Sequence, residues 1–140
     1  MLKICDLNKK YTTVDGDIIA LDHVSLQIKD GEYVAIVGKS GSGKTTLLNM
    51  IGALDIPDSG SIALDQTVIT KLSSRQAALL RRRKIGVIYQ FYNLIPELNV
   101  KENITLPTEL DGGEIDAAWL TKILQTVGLD GRENAYPDTL

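Results

Sequence analysis

The chain has 140 residues, 44% of them hydrophobic and 24% charged, with a formal net charge of −3. That length suits one small domain or part of a larger one, and the composition excludes a disordered chain. The slight acidity gives no bulk attraction for nucleic acid, the lone Cys5 allows no internal disulfide and fits a reducing cytosolic setting, and no signal pattern or apolar run of membrane-spanning length is present.

Leu2 to Asn8 alternates at Leu2 and Ile4 and reads as a strand. Asp15-Gly16-Asp17 marks a turn. From Ile18 to Ile28 the pattern is that of a half-buried antiparallel strand, with Val24, Leu26 and Ile28 on one face and His23, Ser25 and Gln27 on the other. Tyr11 lies between these two strands and has two open readings: a platform for a flat base, or an aromatic packed on its own hairpin. His23, the only histidine, has no carboxylate or cysteine at ligand spacing and reads as a solvated strand residue.

After a turn at Asp30-Gly31 comes Tyr33-Val34-Ala35-Ile36-Val37, almost wholly apolar, as a strand buried on both faces should be. Next follows Gly38-Lys39-Ser40-Gly41-Ser42-Gly43-Lys44-Thr45, a full match to the phosphate-loop pattern G-x-x-x-x-G-K-[ST]. Leu47, Leu48, Ile51 and Leu54 then recur at helical spacing, so strand, glycine loop and helix stand in the order this motif needs. A triphosphate packed into a turn demands many donors and little side-chain bulk. Gly38, Gly41 and Gly43 let backbone N–H groups close on phosphate, and the helix N-terminus aims its partial positive charge at the same anion. The pattern assigns Lys44 to the β- and γ-phosphates and the Thr45 hydroxyl to Mg²⁺, with Thr46 near the α-phosphate. This much says nucleoside triphosphate and Mg²⁺; it does not say which reaction.

Pro57-Asp58-Ser59-Gly60 is a turn, and Ser61 to Leu64 a short strand with Ile62 and Leu64 on one side. Ser73 and Gln76 form a capping-box pattern that opens a helix running to Arg83. Its end, Arg81-Arg82-Arg83-Lys84, reads as a solvated helix terminus matched to the dipole. Ile85 to Tyr89 is a second buried-strand candidate ending on Gln90, where a neutral amide either ligates Mg²⁺ and orients water or is an ordinary loop residue. Phe91 to Val100 is apolar for a loop, which predicts either inward folding or a docking surface. Asn103-Ile104-Thr105 matches a glycosylation acceptor but has no secretion signal to go with it. Gly112-Gly113 breaks the chain; Ile115, Trp119, Leu120, Ile123, Leu124 and Val127 then mark one helical face, with Gly128 as the residue that ends it and Leu129 its following contact. Trp119 reads as core or partner-facing, and the polar tail from Asp130 to Leu140 shows no cap or strand.

Taken together, GKSGSGKTTLLNMIGALD, IGVIYQFYNLIPELNVKENITLP, DIPDSGSIALD and VGLDGRENAYPDTL resemble the ATP-binding-cassette (ABC) ATPases over essentially the whole chain. The nearest likeness is to ATPases of bacterial lipoprotein-release, macrolide-efflux and antimicrobial-peptide-export systems. The resemblance implies an α/β fold: an antiparallel β subdomain and phosphate-loop core over about residues 1–112, and the start of a helical subdomain over about 113–140. It implies an ATP site formed by Gly38, Lys39, Ser40, Gly41, Ser42, Gly43, Lys44, Thr45 and Thr46, with Tyr11 stacking on adenine and Gln90 at the Q-loop position beside Mg²⁺. It also implies a second ATPase subunit closing on two sandwiched ATP molecules, a membrane-spanning permease as partner, and a place on the cytoplasmic face of the plasma membrane. No nucleic-acid partner is expected. The signature LSGGQ, Walker B aspartate, catalytic glutamate, D-loop and switch histidine have no counterparts in these residues, so the resemblance covers the N-terminal portion of a cassette. These 140 residues alone are therefore expected not to turn ATP over. Two rivals are a non-transport ABC ATPase acting on nucleic acid or ribosomes, betrayed by salt-dependent affinity, and a small-molecule phosphotransferase, betrayed by phosphate transfer to an acceptor.

Overall fold

A computed structural model describes all residues from Met1 to Leu140. They form two compact units, Met1–Val87 and Ile88–Leu140. The division at 87/88 falls ahead of Gly112-Gly113, where the sequence suggests a subdomain to begin.

The first unit is built on a four-stranded sheet of order β2-β1-β3-β4. β1 (Leu2–Thr13) and β2 (Gly16–Ile28) form an antiparallel hairpin, β3 (Ser59–Leu64) lies on the other side of β1, and β4 (Thr67–Val68) ends the sheet. β1 runs five residues past the polar break seen in its sequence, because pairing with β2 continues to Thr13↔Gly16 where burial no longer drives it. On β2 the faces divide as expected: Val24, Leu26 and Ile28 are half-buried, and His23, Ser25 and Gln27 are exposed. α1 (Lys44–Ile51) and α2 (Ser74–Lys84) complete the unit, with a short 3₁₀ turn at Ile69–Lys71. The core joins Ile4, Leu7, Leu21, Leu47, Met50, Ile62 and Ile69. Each such side chain contributes about 1.5–3 kcal/mol by leaving water. On α1 it is Leu47 and Met50 that point inward, while Leu48 is exposed.

α2 opens with the expected capping box: Ser73 N donates to Gln76 Oε1 at 2.9 Å, and the Ser73 hydroxyl accepts from Gln76 N at 3.4 Å. Arg81 departs from the expectation of a wholly solvated basic terminus. Its guanidinium donates to the Ala53 carbonyl at 2.6 Å in a part-buried setting, just past the C-terminal end of α1. A cation is favoured there by the α1 dipole and by the unsatisfied carbonyls of its last turn.

The two apolar runs predicted as buried strands enter no ladder. Glu32 to Lys39 and Ile85 to Tyr89 lie outside every strand, and Val37 and Ile88 are 87% and 101% exposed. A strand buried on both faces needs a hydrogen-bonded neighbour, and the sheet's order includes neither run. Ile36 and Ile85 still pack on the core from these runs.

The second unit holds α3 (Val100–Leu110) and α4 (Ala117–Thr126), with Val100, Leu120 and Leu124 as its buried cluster. Asn99 and Glu102 form a reciprocal capping box on α3, and Asp116 caps α4 through Ala118 N and Trp119 N. Gly128 takes φ +74 after α4, and Leu129 N bonds back to the Leu124 carbonyl at 2.8 Å, as the Gly-Leu pair suggests. Trp119 is 46% exposed. The polar tail is not idle: the carbonyls of Ala135 and Glu133 accept from Val100 N and Lys101 N at 2.9 and 3.0 Å, satisfying the first turn of α3. Asn103 is a structural pin. Its side-chain nitrogen donates to the Ile95, Leu98 and Asn99 carbonyls, and its oxygen accepts from Ile95 N.

In the first unit the β1–β2 hairpin is not regular. Its register shifts between Ile4 and Lys10, and Asp6 and His23 both take positive φ, +50 and +47. His23 is exposed as expected, but it has two carboxylate partners, Asp6 across the hairpin and Asp22 beside it in sequence. His23 Nδ1 meets Asp6 Oδ1 at 2.5 Å, and Nε2 lies 3.7 Å from Asp22. The bond to Asp6, then its charge and that of Asp22, raise the His23 pKa above its ordinary 6.5. A raised pKa stabilises the fold fully below the unfolded value, and the contribution is lost as pH rises through the folded value. We expect a proton-NMR titration to place His23 above 6.5, and Asp6→Asn to return it toward that value. Identical titration curves for the two proteins would rule the pair out.

Candidate functional site

The phosphate loop closes around the start of α1. Ser42 N bonds the Lys39 carbonyl at 3.3 Å, and Gly41 and Gly43 take φ +77 and +84. Lys44 folds back over the loop and donates from Nζ to the Gly38 and Lys39 carbonyls at 2.9 and 2.6 Å, with Ser42 Oγ at 3.4 Å. The cation is thus held over the loop by main-chain oxygens.

The α1 N-terminus differs from the other three. Ser73, Asn99 and Asp116 cap their helices with side-chain oxygens, whereas α1 begins at Gly43 with no side-chain cap. The first intrahelical bond is Leu47 N to the Gly43 carbonyl, so the amides of the first turn are left to an outside acceptor. Gly43 is required on two counts. Its φ lies in the left-handed region, and a Cβ there would sit 2.1 Å from the Ala20 carbonyl oxygen of β2. At Gly38 an added Cβ would meet side chains alone, nearest the Ser42 hydroxyl at 2.7 Å, and at Gly41 open space, although Gly41 shares the positive φ.

Tyr11, Ile18 and Ala20 of the hairpin join Gly41, Ser42, Gly43, Lys44, Thr45 and Thr46 around one hollow of about 230 Å³. The structure therefore brings Tyr11 to the phosphate loop across more than 30 residues of sequence. Gly38, Lys39 and Ser40 form the other limb of the loop and do not line this hollow. Thr45 and Thr46 both stand in the first turn of α1. Gln90 belongs to the second unit and is exposed, as are Phe91, Tyr92, Leu94 and Ile95 after it. The stretch is thus split between the two readings: Phe91 to Ile95 is exposed, whereas Val100 at its end turns into the core of the second unit.

Neighbours of Tyr11 were not evident from sequence. Its hydroxyl donates to Asp55 Oδ2 at 2.8 Å, and Lys9 Nζ lies over its ring, 5.2 Å from the centroid. Burial of the phenol, then its bond to Asp55, raise the Tyr11 pKa above 10. Burial pushes the Asp55 carboxyl upward, but bonds from Tyr11 and Ile56 N and the Lys9 charge prevail and hold it below its usual range. The i, i+2 spacing of Lys9 and Tyr11 along a strand was a legible sign that they share a face; Asp55 carried no such sign.

The residues fit a Mg-nucleotide: uncapped amides, a cation and hydroxyls converge on one hollow beside an aromatic ring. Mg²⁺ is commonly held by one or two protein ligands together with phosphate oxygens, which suits a loop whose one assigned ligand is the Thr45 hydroxyl.

Comparison with known proteins gives one consistent answer. A family profile described as ABC transporter matches residues 21–140. An ABC transporter ATP-binding protein of Mycobacterium tuberculosis is 45% identical over 137 residues, covering 95% of this chain and 55% of that protein. The lipoprotein-releasing system ATP-binding protein LolD of Bordetella avium is 43% identical over 136 residues, covering 96% of this chain and 59% of its own. A methionine import ATP-binding protein, MetN 2 of Listeria monocytogenes, is 37% identical over 142 aligned positions, covering all of this chain and 42% of its own. Among solved structures, the ATP-binding cassette MJ0796, seen as a dimer after hydrolysis with ADP and phosphate bound, superposes with a TM-score of 0.90 at 36% identity over 100% of this chain and 63% of that one. The chain thus spans about half the length of the curated relatives it matches.

The glycine geometry makes a direct prediction. Gly43→Ala forces a side chain into left-handed backbone and against the Ala20 carbonyl, and should cost at least about 2 kcal/mol of stability. Gly41→Ala has the backbone cost alone, about 1–2 kcal/mol. Denaturant unfolding of the two variants checks the order; equal losses would refute the close approach of β2.

Proposed function

The chain belongs to the ABC transporter family, and from that premise we propose that it forms the Mg-ATP-binding portion of a transporter's ATPase subunit. One observation carries the reading: an α-helix left uncapped at a left-handed glycine, with Lys44 and Tyr11 on the same hollow. In this reading the loop from Gly38 to Thr46 binds the phosphates, Lys44 neutralises the β- and γ-phosphates, and Thr45 ligates Mg²⁺. The Thr45 hydroxyl would hold Mg²⁺, which would supply positive charge against that developing on the phosphates. Tyr11 takes the adenine, and Gln90 senses the nucleotide and orients water.

Hydrolysis is assigned to the complete cassette, because phosphoryl transfer depends on a carboxylate that positions water and on groups meeting the far side of the γ-phosphate. The dimeric state of the structural relative supports a second subunit as the source of the latter. The permease contact is assigned to the exposed apolar loop Phe91–Leu98, which Asn103 fixes at Ile95, Leu98 and Asn99 and which directly follows Gln90. No helix is long and apolar enough to cross a membrane, so in this reading the membrane partner supplies the crossing and the chain sits on its inner face. The relatives named for lipoprotein release and for methionine import match at 43% and 37% identity, so the nucleotide site is assigned independently of cargo. The subdomain division at about residue 112 is kept as part of this proposal.

Lys44→Ala should weaken Mg-ATP binding by about 1.5–3 kcal/mol through lost charge-assisted contacts, and should abolish turnover in the complete protein. Calorimetry and phosphate release measure the two effects; wild-type values in both would sink the assignment. Gln90→Ala should lower permease-stimulated hydrolysis at least about tenfold while changing ATP affinity by less than about twofold. Equal losses in the two quantities would place Gln90 in plain ground-state binding instead.

A further inference from the structure

Tyr11 is held from two directions. At its hydroxyl end, the O–H donates to Asp55 Oδ2 at 2.8 Å. On one ring face, Lys9 Nζ lies 5.2 Å from the centroid. Both partners are themselves tied to the segment that follows α1. Asp55 Oδ1 accepts from Ile56 N at 2.7 Å, and Lys9 Nζ donates to the Ile56 carbonyl at 2.7 Å while lying 3.5 Å from Asp55 and 3.7 Å from Asp58. Asp58 in turn accepts from Lys10 N at 2.6 Å, and its own N–H donates to the Asn8 carbonyl at 2.9 Å. The Lys9 side chain is only 13% exposed, so it is lodged there rather than swinging in solvent.

We infer that Asp55 and Lys9 are positioning residues that fix the plane of the Tyr11 ring and leave it a single open face for a nucleotide base. The inference rests on the reading of Tyr11 as the base platform. The hydrogen bond at the para oxygen holds the long axis of the ring, and the ammonium over one face resists rotation of the ring about that axis. Stacking on a ring that is already held costs less ordering than stacking on a free one, so the bracket raises affinity through the base alone. The Tyr11 hydroxyl also meets Thr46 of α1, whereas Asp55 does not line the phosphate hollow, so loss of Asp55 isolates the effect on the base. The low pKa of Asp55 keeps the carboxylate ionised, and therefore an acceptor for the phenol, throughout the neutral range.

The test compares two probes by calorimetry on the full chain: Mg-ATP, and Mg-tripolyphosphate, which offers the phosphates without a base. Tyr11→Ala should weaken ATP by about tenfold or more and leave tripolyphosphate unchanged, which tests the platform reading by itself. Asp55→Ala should weaken ATP by about three- to tenfold, again with tripolyphosphate unchanged. Tyr11→Phe removes the bond to Asp55 together with the hydroxyl's contact to Thr46, so it should weaken ATP at least as much as Asp55→Ala, and adding Asp55→Ala to it should cost nothing further. It also keeps the ring, and serves if Asp55→Ala fails to fold. If Tyr11→Ala weakens ATP while Tyr11→Phe and Asp55→Ala leave it at the wild-type value, the positioning role is overturned and the platform survives. If Asp55→Ala and Tyr11→Phe weaken both probes equally, the bond merely supports the loop and the inference is likewise overturned. If Tyr11→Ala has no effect on ATP, platform and bracket fall together.

Discussion

The arrangement of the first unit depends on one backbone contact: the Ala20 carbonyl of β2 against Gly43 of the phosphate loop. No side chain fits between them, so the hairpin and the loop sit at main-chain distance. Two consequences follow at once. The start of α1 has no room for a capping side chain, and its amides remain directed at a ligand. The outer end of the same hairpin is also carried to the mouth of the loop, which is how Tyr11 comes to line the hollow with Thr45 and Thr46.

For that contact to be useful the hairpin must arrive in a fixed register. In a flat two-stranded ribbon a slip of one residue would reverse every side chain, sending Leu21 outward and Tyr11 to the wrong face. Here the register is set by irregularities rather than by repetition. Asp6 and His23 bulge with positive φ, Asn8 accepts from His23 N through its side-chain oxygen and donates to the Asp6 carbonyl, and the chain returns to regular pairing beyond Lys10. Buried Leu7 and Leu21 flank the bulge and anchor it in the core. Local backbone distortion at one end of the hairpin therefore serves geometry at the other.

How much of this was legible depends on whether a feature is local. The capping box at Ser73 and Gln76, the two faces of β2 and the Gly128-Leu129 ending of α4 are all written within a few residues, and each appears as read. α3 was missed although Asn99 and Glu102 spell a capping box, because Pro107 and the preceding apolar loop masked it; the proline sits beyond the first turn and the helix continues around it. The apolar runs at Tyr33–Val37 and Ile85–Tyr89 failed for a different reason. Hydrophobicity reports what a segment would gain by burial, whereas a strand also needs a partner, and partners are not written in the segment itself. Asp55 beneath Tyr11, Asp6 beside His23 and Ala53 under Arg81 were likewise invisible, since each pair joins elements whose approach only the fold decides.

The tail around Ala135 shows a separate kind of constraint. It satisfies the first turn of α3 with main-chain carbonyls at Glu133 and Ala135, and its own turn is closed by main-chain bonds from Arg132 N to Leu129 and from Ala135 N to Arg132. None of those bonds reads a side chain. Side chains matter elsewhere in the segment, at left-handed Gly131 and at Leu129 and Ala135 on the core, but its length is held by the main chain: a single deletion between Leu129 and Ala135 would bring each carbonyl to the wrong amide. Insertions and deletions should therefore be tolerated less here than in an exposed polar stretch of ordinary kind.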